Sequence, residues 1–159
     1  MAIDLKHLGR RYGPYRCEVG AERIADYAVA VGGGIPGRAF TDPARPKAHP
    51  WHVDEAAGRA SPYGSVIAPP MFAASFTIQP FAVACMDPEV GVDLVRMVHG
   101  EQEFVWHDVI RPGDVVETTG EITDLYARGA LQFLVMRTES RRPDGRLVVE
   151  GIWTAVVRG

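Results

Sequence analysis

A nearly uninterrupted apolar segment, preceded by two prolines, is the strongest constraint on the fold of this chain. Pro69 and Pro70 are followed by residues 72–86, in which almost every residue is apolar. Proline fixes φ and lacks an N–H, so the pair suits the first turn of a helix and not its interior. This helix has too many apolar residues for a protein surface and is too short to cross a bilayer. We therefore expect a buried helix that other elements wrap.

The second half of the chain contains the strands that could wrap this helix. Four β-rich segments are predicted, at residues 98–110, 115–126, 131–141 and 147–158, and a fifth strand is predicted at residues 15–19. Turn sequences separate them, and Arg142-Pro143-Asp144-Gly145 is a strong hairpin signal. The pattern predicts an α+β hot-dog fold, in which a curved antiparallel sheet wraps a central apolar helix, as a single domain over residues 1–159. The side chains expected to be buried are Met71, Phe72, Phe76, Ile78, Phe81 and Val83.

Two further helices are predicted in the first half. Residues 21–31 place apolar side chains on one helical face, and Gly32-Gly33-Gly34 ends that helix. Residues 35–50 form a loop with four prolines, which is long enough to be functional. A second helix is expected to start near Val53, with Asp54 and Glu55 in its first turn, where acidic side chains complement the helix dipole.

Composition excludes several classes of function. The chain of 159 residues is 47% hydrophobic and 23% charged, which is typical of a globular protein. Its formal net charge of −3 predicts no general affinity for nucleic acid or an anionic membrane. Cys17 and Cys85 lack the spacing of a disulfide framework or a zinc site, so we expect buried thiols in a reducing compartment. With no apolar signal core and no run of transmembrane length, a cytoplasmic protein is expected.

Several motifs in combination resemble the MaoC-like hydratase/dehydratase family. The match is closest to its N-terminal-domain branch, which includes the mycobacterial type-II dehydratase subunits. It covers nearly the whole chain. The motifs that carry the resemblance are Pro50-Trp51-His52-Val53-Asp54-Glu55-Ala56-Ala57, Tyr63-Gly64, Ile67-Ala68-Pro69-Pro70-Met71-Phe72, His99-Gly100-Glu101-Gln102 and Arg111-Pro112-Gly113-Asp114.

The resemblance implies reversible hydration of a trans-2-enoyl thioester of coenzyme A or acyl carrier protein. In this family an Asp and a His, in a Gly-Asp-x-Asn-Pro-x-His pattern, provide general acid and base, and a backbone N–H at a helix N-terminus polarises the thioester carbonyl. It also implies a homodimer or a heterodimer with a second hot-dog subunit, whose paired sheets cover an edge strand. Neither a metal nor a cofactor is expected, since His49, His52 and the nearby acids Asp42 and Asp54 lack a second ligand cluster.

His52 takes the place of the family's catalytic histidine, but the start of the pattern differs. Gly32-Gly33 stands where the family has Gly-Asp, and the residue five before His52 is Lys47. The nearest upstream acid is Asp42, so His52 and Asp42 are the candidate catalytic pair. The alternatives are that Asp42 is a turn residue before Pro43 and that His52 caps a helix or lies on the surface.

Six other residues are candidate ligands of the thioester: Pro70, Met71, His99, Gly100, Glu101 and Gln102. We expect the loop from Asp42 to His52 to lie beside the start of the Pro70 helix, whose free N–H groups suit a thioester oxygen. A core role for His99 is an equal alternative. Two functions remain in competition, an active hydratase or dehydratase and a non-catalytic acyl-thioester-binding subunit that completes a catalytic MaoC-like partner. A hot-dog thioesterase fits the motifs less well.

Overall fold

The computed structural model describes residues 4–32 and 48–159, which form two compact units. The first unit contains residues 4–17, 74–107 and 116–159, and the second contains residues 18–32, 48–73 and 108–115. The helices are α1 (Ala21–Gly32), α2 (Glu55–Ala60) and α3 (Ala74–Met86). The strands are β1 (Arg11–Glu18), β2 (Met97–Trp106), β3 (Val115–Arg128), β4 (Leu131–Arg141) and β5 (Leu147–Arg158). Short 3-10 helices form at Leu5–His7, Pro50–His52 and Pro70–Ala73.

The five strands form one sheet in the order β1-β3-β4-β5-β2. The β3–β4, β4–β5 and β2–β5 pairs are antiparallel. This sheet with the long helix α3 is the predicted α+β hot-dog architecture. Both bounds of β4 and β5 agree with the prediction, because the turn residues that end these strands act on their immediate neighbours in the sequence. Gly145 in their hairpin has a φ of +85°, which few other residues adopt readily.

Strands β1 and β2 differ from the prediction at their ends. β1 begins at Arg11, four residues before the predicted start, and β2 ends at Trp106, four residues before the predicted end. These are the two edge strands of the sheet, paired on one side only. Their limits depend on how far the neighbouring strand extends, which an apolar alternation does not encode.

The core of the first unit lies between α3 and the sheet. Phe81 of α3 stacks on Trp153 of β5, with ring centroids 5.5 Å apart. The buried cluster around them also contains Tyr12, Ala84, Cys85, Val90, Ile122, Leu125, Leu134, Met136 and Ala155. Cys85 is a free thiol, and burial raises its pKa to about 12. Phe72, Phe76 and Phe81 are all buried, which confirms the prediction that they are core residues.

Two of the side chains predicted to be buried are not. Met71 is 47% exposed and Ile78 is 43% exposed. A sheet covers only one face of a helix, so side chains on the opposite face stay accessible even when they are apolar. On α3 the exposed positions include Ser75, Ile78, Gln79 and Met86, which follow the helical repeat. The sheet therefore covers one side of the helix, and the exposed side carries Ile78 and Met86 together with the polar Ser75 and Gln79.

Pro80 lies inside α3, where a proline removes a backbone donor and is normally avoided. A Cβ added at Gly120 of β3 would lie 2.6 Å from the Cβ of Pro80 and 2.6 Å from Sδ of Met136. The helix therefore approaches the sheet most closely where the sheet has a glycine. This close packing offsets the local cost of a proline in the helix.

In the second unit, capping side chains set the limits of the short helices. Asp54 is the N-cap of α2, where its Oδ1 accepts a hydrogen bond of 2.7 Å from the N–H of Ala57. The helix starts at Glu55, and the preceding residues Pro50–His52 form a separate 3-10 turn. That turn is capped by His49, whose Nδ1 accepts from the N–H of Trp51 at 3.3 Å.

Gly58→Ala should destabilise the protein, although alanine is the better helix former by about 1 kcal/mol. A Cβ at Gly58 would lie 2.5 Å from the backbone N of Val66, and backbone cannot move aside cheaply. We expect a loss of about 1–3 kcal/mol in the free energy of unfolding, measured by urea denaturation. The control is Gly20→Ala, whose new Cβ would have no atom within 4 Å. A Gly58→Ala protein as stable as this control would contradict the packing of α2.

Candidate functional site

A cavity of about 510 Å³ lies within the second unit and contains His52 in its wall. Its lining comes from α1, the Pro50–His52 turn, α2, the segment at residues 64–66 and the turn at Arg111 and Pro112. The charged and polar side chains in the wall are Glu22, His52, Glu55, Arg59, Ser65 and Arg111. Cavities of this size hold small molecules or several water molecules.

Hydrogen bonds hold His52 against the chain that leads into Pro69 and Pro70. The N–H of Ile67 donates to the carbonyl of Trp51 at 3.1 Å, and Nδ1 of His52 donates to the carbonyl of Ile67 at 2.7 Å. The N–H of Ala68 donates to the carbonyl of Ile110 at 2.8 Å. His52 is therefore attached to a segment that is itself paired, three residues before Pro70.

The bond to Ile67 determines which nitrogen of His52 carries the proton. A carbonyl oxygen only accepts, so Nδ1 must be the protonated nitrogen of the neutral ring. Nε2 then has a free lone pair and can accept a proton. This tautomer leaves one ring nitrogen free to act as a general base, and the main-chain carbonyl of Ile67 holds it in place.

The charged groups of the cavity wall balance one another. Arg59 pairs with Glu55 at 3.5 Å, and both side chains are largely exposed. Nη1 of Arg111 lies 3.5 Å from Oδ1 of Asp108 and 3.5 Å from the carbonyl of Val109. The Arg59 pair is exposed and contributes little to stability, whereas the Arg111 pair is half-buried and long at 3.5 Å, so an anionic ligand could recruit either guanidinium group.

Ser65 contributes a buried hydroxyl to the same wall. Its Oγ is inaccessible to solvent and has no hydrogen-bond partner among the described residues. A buried polar group without a partner costs free energy, and a bound water or substrate oxygen would remove that cost. Ser65 and Arg59 were not among the residues predicted from the sequence, since neither belongs to a motif with a recognisable spacing.

The four candidate residues of β2 lie together in the first unit. The ring of exposed His99 is stacked on Trp153, with centroids 5.3 Å apart and an interplanar angle of 24°, and its Nε2 donates to the carbonyl of Glu101 at 3.1 Å. His99 is thus not a core histidine. Gly100 occupies a bulge in the β2–β5 pairing, Glu101 is exposed and Gln102 is half-buried.

The remaining candidate site residues lie either in the second unit or outside the described residues. Pro70 and Met71 begin the Pro70–Ala73 turn of the second unit, and both are exposed. Asp42, Lys47 and most of the proline-rich loop lie outside the described residues, so the expected pairing of Asp42 with His52 stays a prediction. Within residues 4–32 and 48–159, no cluster of three or more His, Cys, Asp or Glu side chains could hold a metal ion.

Comparison with known proteins agrees with this architecture. A UPF0336 protein of Saccharopolyspora erythraea is 34% identical over 160 residues, covering 100% of this chain and 94% of the relative. The HadBC (3R-hydroxyacyl-ACP dehydratase) complex from Mycobacterium tuberculosis has a chain with a TM-score of 0.73 and 24% identity, covering 94% of this chain and 96% of that one. An (R)-hydratase from A. caviae involved in PHA biosynthesis has a TM-score of 0.64 and 18% identity, with 93% and 94% covered.

The fold and these neighbours define a hot-dog protein. The family description "FAS1-like, dehydratase domain region" matches residues 6–151, and the chain belongs to that family. This membership confirms the resemblance to MaoC-like dehydratases drawn from the motifs. No helix in the part of the chain that is described is long and apolar enough to span a membrane.

Proposed function

We propose that this chain is a subunit of an enzyme that adds water to trans-2-enoyl thioesters, or removes it from 3-hydroxyacyl thioesters. Its carrier would be coenzyme A or acyl carrier protein. The observation that carries the proposal is the tautomer of His52. The proton is on Nδ1, so Nε2 has a free lone pair, and the ring lines the cavity. Membership of a dehydratase family supports the reaction class.

The chemistry needs one group that takes a proton and one that returns it. In hydration, Nε2 of His52 would remove a proton from water while the water oxygen bonds to Cβ of the enoyl chain. Electron density would move to the thioester carbonyl, and Cα would then be protonated, either by the imidazolium of His52 or by Asp42. A histidine can take both roles, because the neutral imidazole accepts a proton and the imidazolium returns one.

A second candidate function is a non-catalytic thioester-binding subunit. Two observations favour it. The residue five before His52 is Lys47 instead of the family's aspartate, and no carboxylate in the described residues forms a hydrogen bond with His52. Such a chain would bind the acyl thioester while a MaoC-like partner performs the chemistry. The side chains that bind the thioester would then be Gln102, Glu101 and His99.

An assay of hydration separates the two functions. The purified chain, alone and mixed with a candidate MaoC-like partner, is given crotonyl thioester, and loss of the enoyl absorbance near 263 nm is followed. Activity of the chain alone supports the catalytic proposal. Activity only with the partner leaves the choice to the His52 variants described in the Discussion. No activity in either arm, with crotonyl and with longer enoyl thioesters, contradicts the proposal.

We also propose that a second hot-dog subunit covers exposed apolar surface of the first unit. Met86 on α3 is 61% exposed, and Val105 and Trp106 on the edge strand β2 are 55% and 44% exposed. Edge strands with unpaired N–H and C=O groups readily pair with another chain. The HadBC neighbour is itself a complex. A homodimer or a heterodimer would bury this surface. Cys17 and Cys85 form no disulfide, which is consistent with the expected cytoplasmic location.

Sedimentation tests the assembly. The chain, or its mixture with a partner, should sediment as a dimer at micromolar concentration, and Val105→Lys should weaken the association at least tenfold because it buries a charge. Leu8→Lys is the matched control, since Leu8 is an exposed apolar residue that belongs to neither β2 nor α3. A monomer at tens of micromolar that no hot-dog partner changes would contradict this assembly.

A further inference from the structure

Two buried N–H donors, on directly paired residues of the first unit, have no acceptor among the described residues. Nε1 of Trp153 and Nε2 of Gln102 are both inaccessible to solvent, and neither has a hydrogen-bond partner among the described residues. Trp153 is only 1% exposed. Buried donors are nearly always paired, so two such exceptions indicate that a group outside the described residues completes them.

The strand register places the two side chains on one face. Gln102 is directly opposite Trp153 in the antiparallel β2–β5 pair, and residues directly opposite share a face. Trp153 belongs to the core cluster under α3, so Gln102 also points to that side. Side chains in such pairs are separated by about 5 Å at Cβ, so the two donors belong to neighbouring side chains on one face of the sheet.

A bulge adds His99 to the same face. On a regular strand, residues three apart point to opposite faces. The register of β2 shifts between His99 and Glu101, so His99 opposite Ala155 and Gln102 opposite Trp153 both point toward the core. Gly100 permits this arrangement, because a Cβ there would lie 2.5 Å from Cγ2 of Val156. His99 is exposed while Trp153 beneath it is buried, so the stack runs from the surface inward.

The surroundings define the chemical class of the missing acceptor. The indole of Trp153 is flanked by the rings of Phe81, Phe104 and His99, with centroids 5.5, 5.8 and 5.3 Å away. Both donors are neutral. A carboxylate or phosphate placed among these rings would be a poorly compensated buried charge, whereas a carbonyl or hydroxyl oxygen is well served by two neutral donors.

We propose that Gln102 and Trp153 form a binding site for a neutral oxygen, a carbonyl or a hydroxyl, carried on an apolar acyl chain. His99 forms its outer edge. The site deepens the proposed function, on which it rests only for the choice of acyl thioesters as ligands. It assigns Gln102 and Trp153 as specificity-determining residues that select oxygenated chains over plain hydrocarbon.

Matched probes test the site without catalysis. S-hexanoyl-N-acetylcysteamine contains the thioester carbonyl, and S-hexyl-N-acetylcysteamine is the same molecule without that oxygen. A second comparison sets S-[(R)-3-hydroxyhexyl]-N-acetylcysteamine against S-hexyl-N-acetylcysteamine and reports a hydroxyl at C3. Without the carbonyl neither molecule can be dehydrated. Binding is measured by calorimetry on the full chain, with its partner if the assembly requires one. We expect a preference of roughly tenfold in one of the two comparisons, as two neutral hydrogen bonds provide.

Variants and resonance shifts decide the outcome. Gln102→Leu and Trp153→Phe should each reduce the preference toward equal binding, while Gln79→Leu, an exposed glutamine, and Trp106→Phe should keep it. In the wild type the indole N–H resonance that Trp153→Phe removes should move downfield with the preferred probe. Nε2 of Gln102 has no hydrogen-bond partner among the described residues. The Gln102→Leu protein should therefore unfold at the same urea concentration as the wild type or at a higher one.

The proposal fails if neither comparison shows a preference, if the preference survives both variants, or if the indole resonance does not respond. The indole resonance would not respond if the two donors bind a trapped water molecule that the probes do not displace. Failure of the hydratase proposal is separate, because hexanoyl and hexyl probes have no double bond to hydrate. His52→Gln should therefore abolish turnover and leave the probe preference intact.

Discussion

We expect His52→Gln to lower kcat for thioester hydration by about 10²–10⁴-fold in whichever assembly is active, the usual loss when a general acid or base is removed. Glutamine can still donate from its amide to the carbonyl of Ile67, which His52 contacts at 2.7 Å, so the local structure should survive. What glutamine lacks is a nitrogen that can accept a proton. KM should change much less than kcat, since the binding surface is retained.

Two companion variants make this result interpretable. His107→Gln removes an exposed histidine that pairs with Glu150 on β5, and it should leave the rate unchanged. Asp42→Asn tests the second member of the predicted pair, and a loss of similar size would assign it a role in proton transfer. Unfolding by urea should be the same within about 1 kcal/mol for all of them. If His52→Gln and Asp42→Asn both retain the wild-type rate, the chemistry belongs to a partner and this chain is the binding subunit.

Phe81→Ala should have the largest effect on stability, a loss of about 3–5 kcal/mol in the free energy of unfolding. Phe81 is buried, stacks on Trp153 and belongs to the cluster that joins α3 to the sheet. Truncation removes the transfer free energy of the ring and leaves a cavity among rigid neighbours. The measurement is the midpoint of urea unfolding, followed by tryptophan fluorescence.

Ile78→Ala is the matched control on the same helix. Ile78 is 43% exposed and faces away from the sheet, so its truncation should cost about 1 kcal/mol or less in the isolated chain. In an assembly that covers this face of α3, the cost should rise. Equal losses for Phe81→Ala and Ile78→Ala in a monomer would contradict the orientation of the helix.

Much of the fold could be predicted because the signals are local. The capping Asp54 and the positive φ of Gly145 act on their immediate neighbours, so the position of α2 and the β4–β5 hairpin could be read to within two residues. The apolar segment after Pro70 identified the core helix for the same reason. Its exposed face could not be predicted, because residues 72–86 are mostly apolar and their few polar side chains fall on both sides: Ser75 and Gln79 are exposed, and Thr77 is buried.

The residues of the candidate site also divide into those that a local sequence pattern identifies and those that it does not. His52 could be found from the Pro50-Trp51-His52 motif, because a motif is a short-range pattern. Asp42 could not be placed, since its position depends on the path of a long loop. Trp153 was missed altogether, because its relation to Gln102 depends on a strand register between residues 51 positions apart and on a one-residue bulge at Gly100.

The sequence by itself determined the kind of protein: an apolar helix, four strands separated by turn residues, and a histidine motif that resembles the dehydratases. Only the tertiary structure decided which face of α3 is covered, which nitrogen of His52 is protonated and which donors meet opposite each other in the sheet. The first group depends on backbone preferences and hydrophobic periodicity over a few residues. The second depends on hydrogen bonds and packing between segments far apart in the chain, where a shift of one residue moves a side chain to the opposite face.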